Sequence, residues 1–162
     1  MTINNDFLVR IEISKGTCIK YEFDHKTNDL ICDRILHTPM MYGFNYGYIE
    51  NTMGGDGDPI DAVVICEYPL FPTCLIRCRA IGLLETEDNE GVDEKVIMVP
   101  ISKVDPTYNN INDISELDKT VLDKIKFFFE NYKKLEKDKW VKVKEWKNSE
   151  YTVKFVKNNK IK

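Results

Sequence analysis

Phe7-Leu8-Val9-Arg10-Ile11-Glu12-Ile13 places Phe7, Val9, Ile11 and Ile13 at every second position. That is the period of a half-buried strand, with Arg10 and Glu12 on the polar face. A second alternation follows at residues 18–23, where Ile19, Tyr21 and Phe23 share one side and Lys20 and Glu22 share the other. Further short strands are predicted at residues 30–32, 60–66, 74–84 and 95–99, each bounded by Gly, Pro, Asn or Asp. From residue 115 the period changes. Leu117, Val121, Ile125, Phe128, Phe129 and Tyr132 recur at three- and four-residue steps, which predicts one long amphipathic helix with Ser115 as N-cap. Residues 148–162 form a weaker candidate for a C-terminal helix, because Thr152, Val153 and Val156 lower the propensity. Strands followed by helices make an α+β chain, mainly β, with a barrel-like sheet.

The chain has 162 residues, 43% of them hydrophobic and 31% charged, which fits one globular domain over 1–162 with a full core. No repeat, low-complexity tract or linker divides it. The net charge is −4, from 23 basic and 27 acidic side chains, and argues against a protein whose main task is neutralising nucleic-acid phosphates. The charge is unevenly spread: residues 133–162 hold 11 Lys against 4 acids, a net of +7, leaving −11 for residues 1–132. Five cysteines, an odd number, sit mostly in apolar stretches and read as buried thiols of a reducing compartment. The first residues lack the pattern of a secretory signal. The longest uncharged stretch, residues 35–49, is too short and polar to span a bilayer. A cytoplasmic location without membrane contact is expected.

The chemistry concentrates in Gly54-Gly55-Asp56-Gly57-Asp58-Pro59-Ile60-Asp61-Ala62, where three carboxylates share a glycine-rich turn. Crowded carboxylates repel one another unless cations or solvent compensate. The turn is therefore either a solvated acidic loop or a site for a hard divalent ion. An EF-hand counted from Asp56 fails, because Ile60 occupies the fifth place and Asp61 the sixth, where glycine is required. A second cluster, Glu85, Glu87, Asp88, Glu90, Asp93 and Glu94, precedes Lys95. Alone it is a charged hairpin tip; beside the first it could form the opposite wall of a multi-metal site.

Asp56-Gly57-Asp58-Pro59-Ile60-Asp61 matches the Asp-x-Asp-Pro-x-Asp signature of the soluble family I inorganic pyrophosphatases. Similar blocks follow the family's order over nearly the whole chain: Ile11-Glu12-Ile13, Ile19-Lys20-Tyr21-Glu22, Asp33-Arg34, residues 42–48, Tyr68-Pro69-Leu70, Ile76-Arg77-Cys78-Arg79, residues 128–140 and Trp146. The chain resembles the bacterial type. The resemblance implies a five-stranded OB-like closed β-barrel flanked by one long helix and a C-terminal helix. It implies Mg²⁺-dependent hydrolysis of pyrophosphate to two orthophosphates without a covalent enzyme intermediate, drawing biosynthetic reactions forward. Several Mg²⁺ ions per subunit are expected, with Mn²⁺ or other divalents as substitutes, and a homo-hexamer as the assembly. By the same resemblance the metal ligands fall on Asp56, Asp61, Asp88 and Asp93, with Glu12 and Glu22 as outer acidic residues and Asp58 as the general base. Lys20, Arg34, Tyr46, Lys95, Tyr132 and Lys133, with Tyr42 nearby, correspond to the phosphate-contacting positions.

The chemistry of the residues agrees. Pyrophosphate is polyanionic, so cations must screen it before a nucleophile reaches phosphorus, and acids that hold those cations must stand beside basic side chains. Arg34 can fork onto two oxygens, while the lysines act as point charges. Taken singly, each has a structural alternative: Lys20 and Glu22 as a surface pair, Arg34 tied to Asp33, the tyrosines as core aromatics. Three departures from the family pattern stand out: Asn89 where many members carry Glu beside Asp88, Gly43 in place of a common Pro, and Phe127 and Asn131 where some bacterial members have interfacial His. Cys74 and Cys78 lack zinc spacing and read as core thiols, and His25 and His37 have no nucleophile beside them. The rival is a non-catalytic OB-type module whose basic tail, with Trp140 and Trp146, binds nucleic acid. A third possibility is hydrolysis of longer polyphosphates or nucleotides.

Overall fold

Burial along the first strand follows the alternation of its sequence: Phe7, Val9, Ile11 and Ile13 are buried and the residues between them half-exposed. The computed structural model describes residues 5–161. Its strands are β1 (Asp6–Ile13), β2 (Ile19–Asp24), β3 (Asp29–Ile35), β4 (Asn45–Ile49), β5 (Asp61–Val64), β6 (Leu75–Asp88), β7 (Gly91–Pro100) and β8 (Val141–Lys147). Two α-helices, α1 (Lys119–Asn131) and α2 (Ser149–Asn158), bracket β8. Six strands pair in the order β1-β4-β5-β7-β6-β8, and β1 also pairs with β6, so five strands close into a ring with β8 on its outside. The ring and its flanking helices match the OB-like architecture expected from the sequence. Among the described residues no helix is long and apolar enough to cross a membrane.

Two strands were hidden in the sequence. β4 is buried at every position, so it has no alternation to detect. At its centre Gly47 faces Ile11 of β1, and a Cβ there would lie 1.8 Å from the Arg10 carbonyl oxygen. Only glycine lets these backbones approach. β8 is a lysine-rich outer strand, a composition that discourages further pairing along its free edge.

Ser115 does not cap the long helix. Leu117 is extended, at φ −75° and ψ 146°, and Asp118 caps α1 by accepting from the Thr120 amide at 2.8 Å. Ser115 lies instead in a 3₁₀ turn capped by Asp113, which accepts from the Ser115 amide and hydroxyl and from the Ser149 amide at the start of α2. The C-terminal helix forms as expected, with Asn148 accepting from the Tyr151 amide at 2.9 Å. The cysteine expectation holds in part: Cys66 and Cys78 are buried and Cys18 and Cys74 half-buried, but Cys32 is exposed on the β2–β3 hairpin, and all five are free thiols.

The core divides into two clusters. One fills the ring and takes in Val153 and Val156 of α2. The other is aromatic and fastens α1 to β4 and the segment before it, with ring centroids 4.7 Å apart for Tyr42 and Phe128 and 5.6 Å apart for Phe44 and Phe129. The hairpin β2–β3 forms a separate two-stranded sheet.

Asp113 gives a stability prediction. Burial opposes its ionisation, but the hydrogen bonds from Ser115 and Ser149 outweigh burial and bring the carboxyl down to about 2 from 3.8. A depressed folded-state pKa contributes stability that is present above the unfolded value and lost as pH falls through the folded one. Asp113→Ala should lower the unfolding free energy by about 1 kcal/mol near neutral pH, the usual cost of a lost cap at a partly exposed site. Urea titrations should show that deficit shrinking as pH drops from 3.8 through about 2.

Candidate active site

The acidic turn is shaped by its own backbone. The Gly54 amide donates to the Asp58 carbonyl at 2.7 Å, the Asp58 amide to an Asp56 carboxylate oxygen at 3.0 Å, and Gly57 takes the left-handed conformation at φ +86°. Buried Thr52 secures the exit by accepting from the Ile60 amide at 3.0 Å. Asp61 then enters β5, where parallel pairing sets it opposite Lys95 on β7. The second acidic stretch is the β6–β7 hairpin tip, with Asp88 opposite Gly91 and Thr86 opposite Asp93. Both acidic segments thus border one cavity of about 330 Å³.

That cavity is lined by Asp56, Asp58, Asp61, Asp88, Asp93, Glu12, Glu22, Lys20, Tyr42, Tyr46, Lys95, Tyr132 and Lys133, every site residue predicted from sequence except Arg34. Arg34 stands outside the lining, where its Nε donates to Asp33 at 2.7 Å and its Nη1 to Glu136. Asp33 also pairs with Lys20, at 3.4 Å, and Lys20 with Glu22, at 2.9 Å. The Lys20–Glu22 surface pair and the Arg34–Asp33 tie are therefore real contacts. They coexist with a place in or beside the cavity.

Lys95 is the centre of the charge arrangement. Its ammonium donates to Tyr46 Oη at 2.7 Å, Asp61 Oδ2 at 2.8 Å and Asp93 Oδ2 at 2.5 Å, and lies 5.4 Å from the Phe129 ring centroid. Burial alone would push its pKa down, but Asp61, Tyr46 and Asp93 outweigh it and hold Lys95 protonated. Burial raises the Asp93 carboxyl to about 6 even with Lys95 beside it. Burial also lifts Glu12 to about 7, opposed by the Phe23 amide that donates to it at 2.7 Å. Asp58 moves upward through partial burial and the neighbouring charges of Asp56 and Glu22. Burial holds the phenols of Tyr42, Tyr46 and Tyr132 above their ordinary value, so all three remain hydrogen-bond donors. Lys133, 3.4 Å from Asp88, is shifted down by burial.

The cavity also includes Glu90 of the second acidic cluster, and His25 and Tyr48, which the sequence does not mark as site residues. Tyr48 had a signal, since it lies two residues beyond Tyr46 and shares its face once β4 is recognised as a strand. His25 had none: it lies just past β2 and reaches the rim through ring contacts with Tyr48 at 5.0 Å and Phe23 at 5.7 Å. Glu90 follows from the hairpin turn between Asp88 and Gly91.

The acids fit a hard divalent cation. The predicted ligands are all carboxylates, the oxygen donors such an ion takes, and no cysteine or histidine stands among them. Among the described residues no three are gathered closely enough to hold an ion as they stand. The positive charge between Asp61 and Asp93 is that of Lys95, and Lys133 serves Asp88. The site is thus a set of acids already organised around cations.

Residues 9–161 match the family model described as inorganic pyrophosphatase. The chain is 47% identical over 152 residues to the inorganic pyrophosphatase of Aquifex pyrophilus, covering 94% of this chain and 86% of that protein. It is 50% identical over 147 residues to the inorganic pyrophosphatase of Nanoarchaeum equitans, covering 91% of each. The solved structure of the Helicobacter pylori inorganic pyrophosphatase superposes with a TM-score of 0.94 at 45% identity, over 96% of this chain and 91% of that one.

A cation that binds the folded chain must stabilise it. At a saturating divalent cation, roughly 100 times its dissociation constant, linkage gives about 2.7 kcal/mol. The melting midpoint should rise by about 5–10 °C, as expected for that free energy at this chain length. Differential scanning fluorimetry should show the rise reversed by a chelator and reduced in Asp61→Asn.

Proposed function

Because the chain belongs to the inorganic pyrophosphatase family, we propose that residues 1–162 act as one domain that hydrolyses inorganic pyrophosphate to two orthophosphates. The observation that carries this is the meeting of five aspartates with Lys20, Lys95 and Lys133 around one cavity. A polyanion is repelled by acids alone, and basic side chains alone leave the acids unexplained; the two together suit a substrate that arrives with cations. Asp56, Asp61, Asp88 and Asp93 would hold Mg²⁺, with Glu12 and Glu22 at the outer edge. Bound there, the ions would screen the phosphate oxygens and acidify water.

The chain's own groups do the rest. The Asp58 carboxylate accepts no hydrogen bond from any described residue, so both of its oxygens are open to orient a water and take its proton as it attacks phosphorus. Lys20, Lys95 and Lys133 place positive charge against the phosphate oxygens, and Lys95 is aimed by Asp61, Asp93 and Tyr46. Tyr46 and Tyr132, with Tyr42 nearby, supply single O–H donors, and Arg34 reaches the substrate from the hairpin. By this assignment Lys20, Lys95 and Lys133, which bind the substrate, also stabilise the departing phosphate.

The family likeness also supports a homo-hexamer, and exposed Tyr68, Phe71 and Leu75 offer apolar surface for contact between copies. The five free thiols suit a reducing cytoplasm. Nucleic-acid binding by the basic tail is disfavoured by its pairing with acids of β6, Lys144 with Glu87 at 3.0 Å and Lys147 with Glu85 at 3.8 Å.

Phosphate release from pyrophosphate should require Mg²⁺ and be far slower on longer polyphosphates and nucleotides. Asp58→Asn and Asp61→Asn should each lower kcat/KM by about 100-fold or more at unchanged circular dichroism. Salt-sensitive oligonucleotide binding that survives both substitutions, with no phosphate release from the parent protein, would support the binding module instead.

A further inference from the structure

Glu136 carries a cost that packing does not explain. Its side chain is only 6% exposed, Oε1 accepts from Arg34 Nη1 and faces Lys139 Nζ at 3.7 Å, and Oε2 is buried without a donor among the described residues. A buried carboxylate with an unsatisfied oxygen is expensive, and an apolar side chain of similar size would avoid the expense. Such a group is explained by what it holds in place.

What it holds is Arg34. That residue sits on β3, in a two-stranded sheet separate from the ring. Its other partner, Asp33, precedes it on the same strand and moves with it. Glu136 belongs to the turns that follow α1, where its amide donates to the Lys133 carbonyl at 2.9 Å. The Arg34–Glu136 pair thus ties the hairpin that carries Lys20 and Glu22 to the wall that carries Tyr132 and Lys133. No described residue accepts from Arg34 Nη2. A guanidinium has five N–H donors in a rigid fork, so fixing two of its edges presets the remainder.

We propose that Glu136 is a positioning residue that fixes the Arg34 guanidinium, keeping its uncommitted N–H donors ready for a phosphate of the substrate. This rests on the assignment of Arg34 to the substrate. Glu136 itself touches no substrate. Its removal should weaken substrate binding through Arg34 and leave the chemical step largely intact.

Glu136→Gln keeps the shape and removes the charge. In steady-state hydrolysis of magnesium pyrophosphate, KM should rise about 10-fold while kcat stays within about threefold. In an Arg34→Lys background, whose ammonium cannot form the fork, the same substitution should add less than about twofold. A merely structural role would give the same factor in both backgrounds, and that result, or an unchanged KM in Glu136→Gln, overturns the proposal. Should Glu136→Gln not fold, Glu136→Asp, with its shorter reach, takes its place in the same cycle under the same criterion. An Arg34→Lys protein with the parent kcat/KM would remove the assignment of Arg34 to the substrate, and the proposal with it. An impaired Arg34→Lys with an additive cycle removes only the role of Glu136.

Discussion

A buried ammonium between two carboxylates is the constraint on which the site depends. Lys95 cannot be buried as a charge unless something pays for its desolvation, and Asp61, Asp93 and the Tyr46 hydroxyl together do so. The requirement runs in both directions: the two acids border a cavity already crowded with negative charge, and without a cation between them they would repel one another. The parallel pairing of β5 with β7 puts Asp61 directly opposite Lys95. The two-residue strand period puts Asp93 on the same face. A one-residue slip in either register would turn the acids away from the ammonium.

The opposite wall is positioned by packing. Tyr132 and Lys133 come just after α1, whose place is set by Phe128 and Phe129 against Tyr42, Phe44 and Tyr46. Tyr132 stacks on Phe128 with centroids 5.0 Å apart, so the aromatic cluster extends directly into the cavity lining. Hydrophobic burial and the geometry of the cavity wall therefore share residues here. A substitution that loosens the cluster would shift both tyrosine hydroxyls and Lys133 together.

The third wall is the hairpin β2–β3, joined to the rest through polar contacts as well as chain connectivity. Glu12 receives the Phe23 amide, and Glu136 receives Arg34. Hydrogen bonds between charged and polar groups fix direction more sharply than apolar contact does, which suits a wall bearing Lys20 and Glu22. It also places acids whose burial raises their cost, Glu12 and Glu136, at the seams between units of the fold.

The sequence alone determined the local events. Alternation marked β1 and β2, a 3.6-residue period marked α1, and the Asp-Gly-Asp-Pro turn marked the acidic loop, because each of these is decided by neighbours within a few residues. Family likeness then supplied residues that no local pattern connects, and nearly all of them line the cavity. Tertiary structure decided what depends on distant partners. β4 is buried on both faces and needed Gly47 against Arg10 to appear as a strand, and the cap of α1 moved from Ser115 to Asp118 because Asp113 claims Ser115 for a turn that also serves α2. His25 and the Glu136 tie to Arg34 became visible only when segments far apart in the chain were brought together, since burial and pairing are properties of the folded chain.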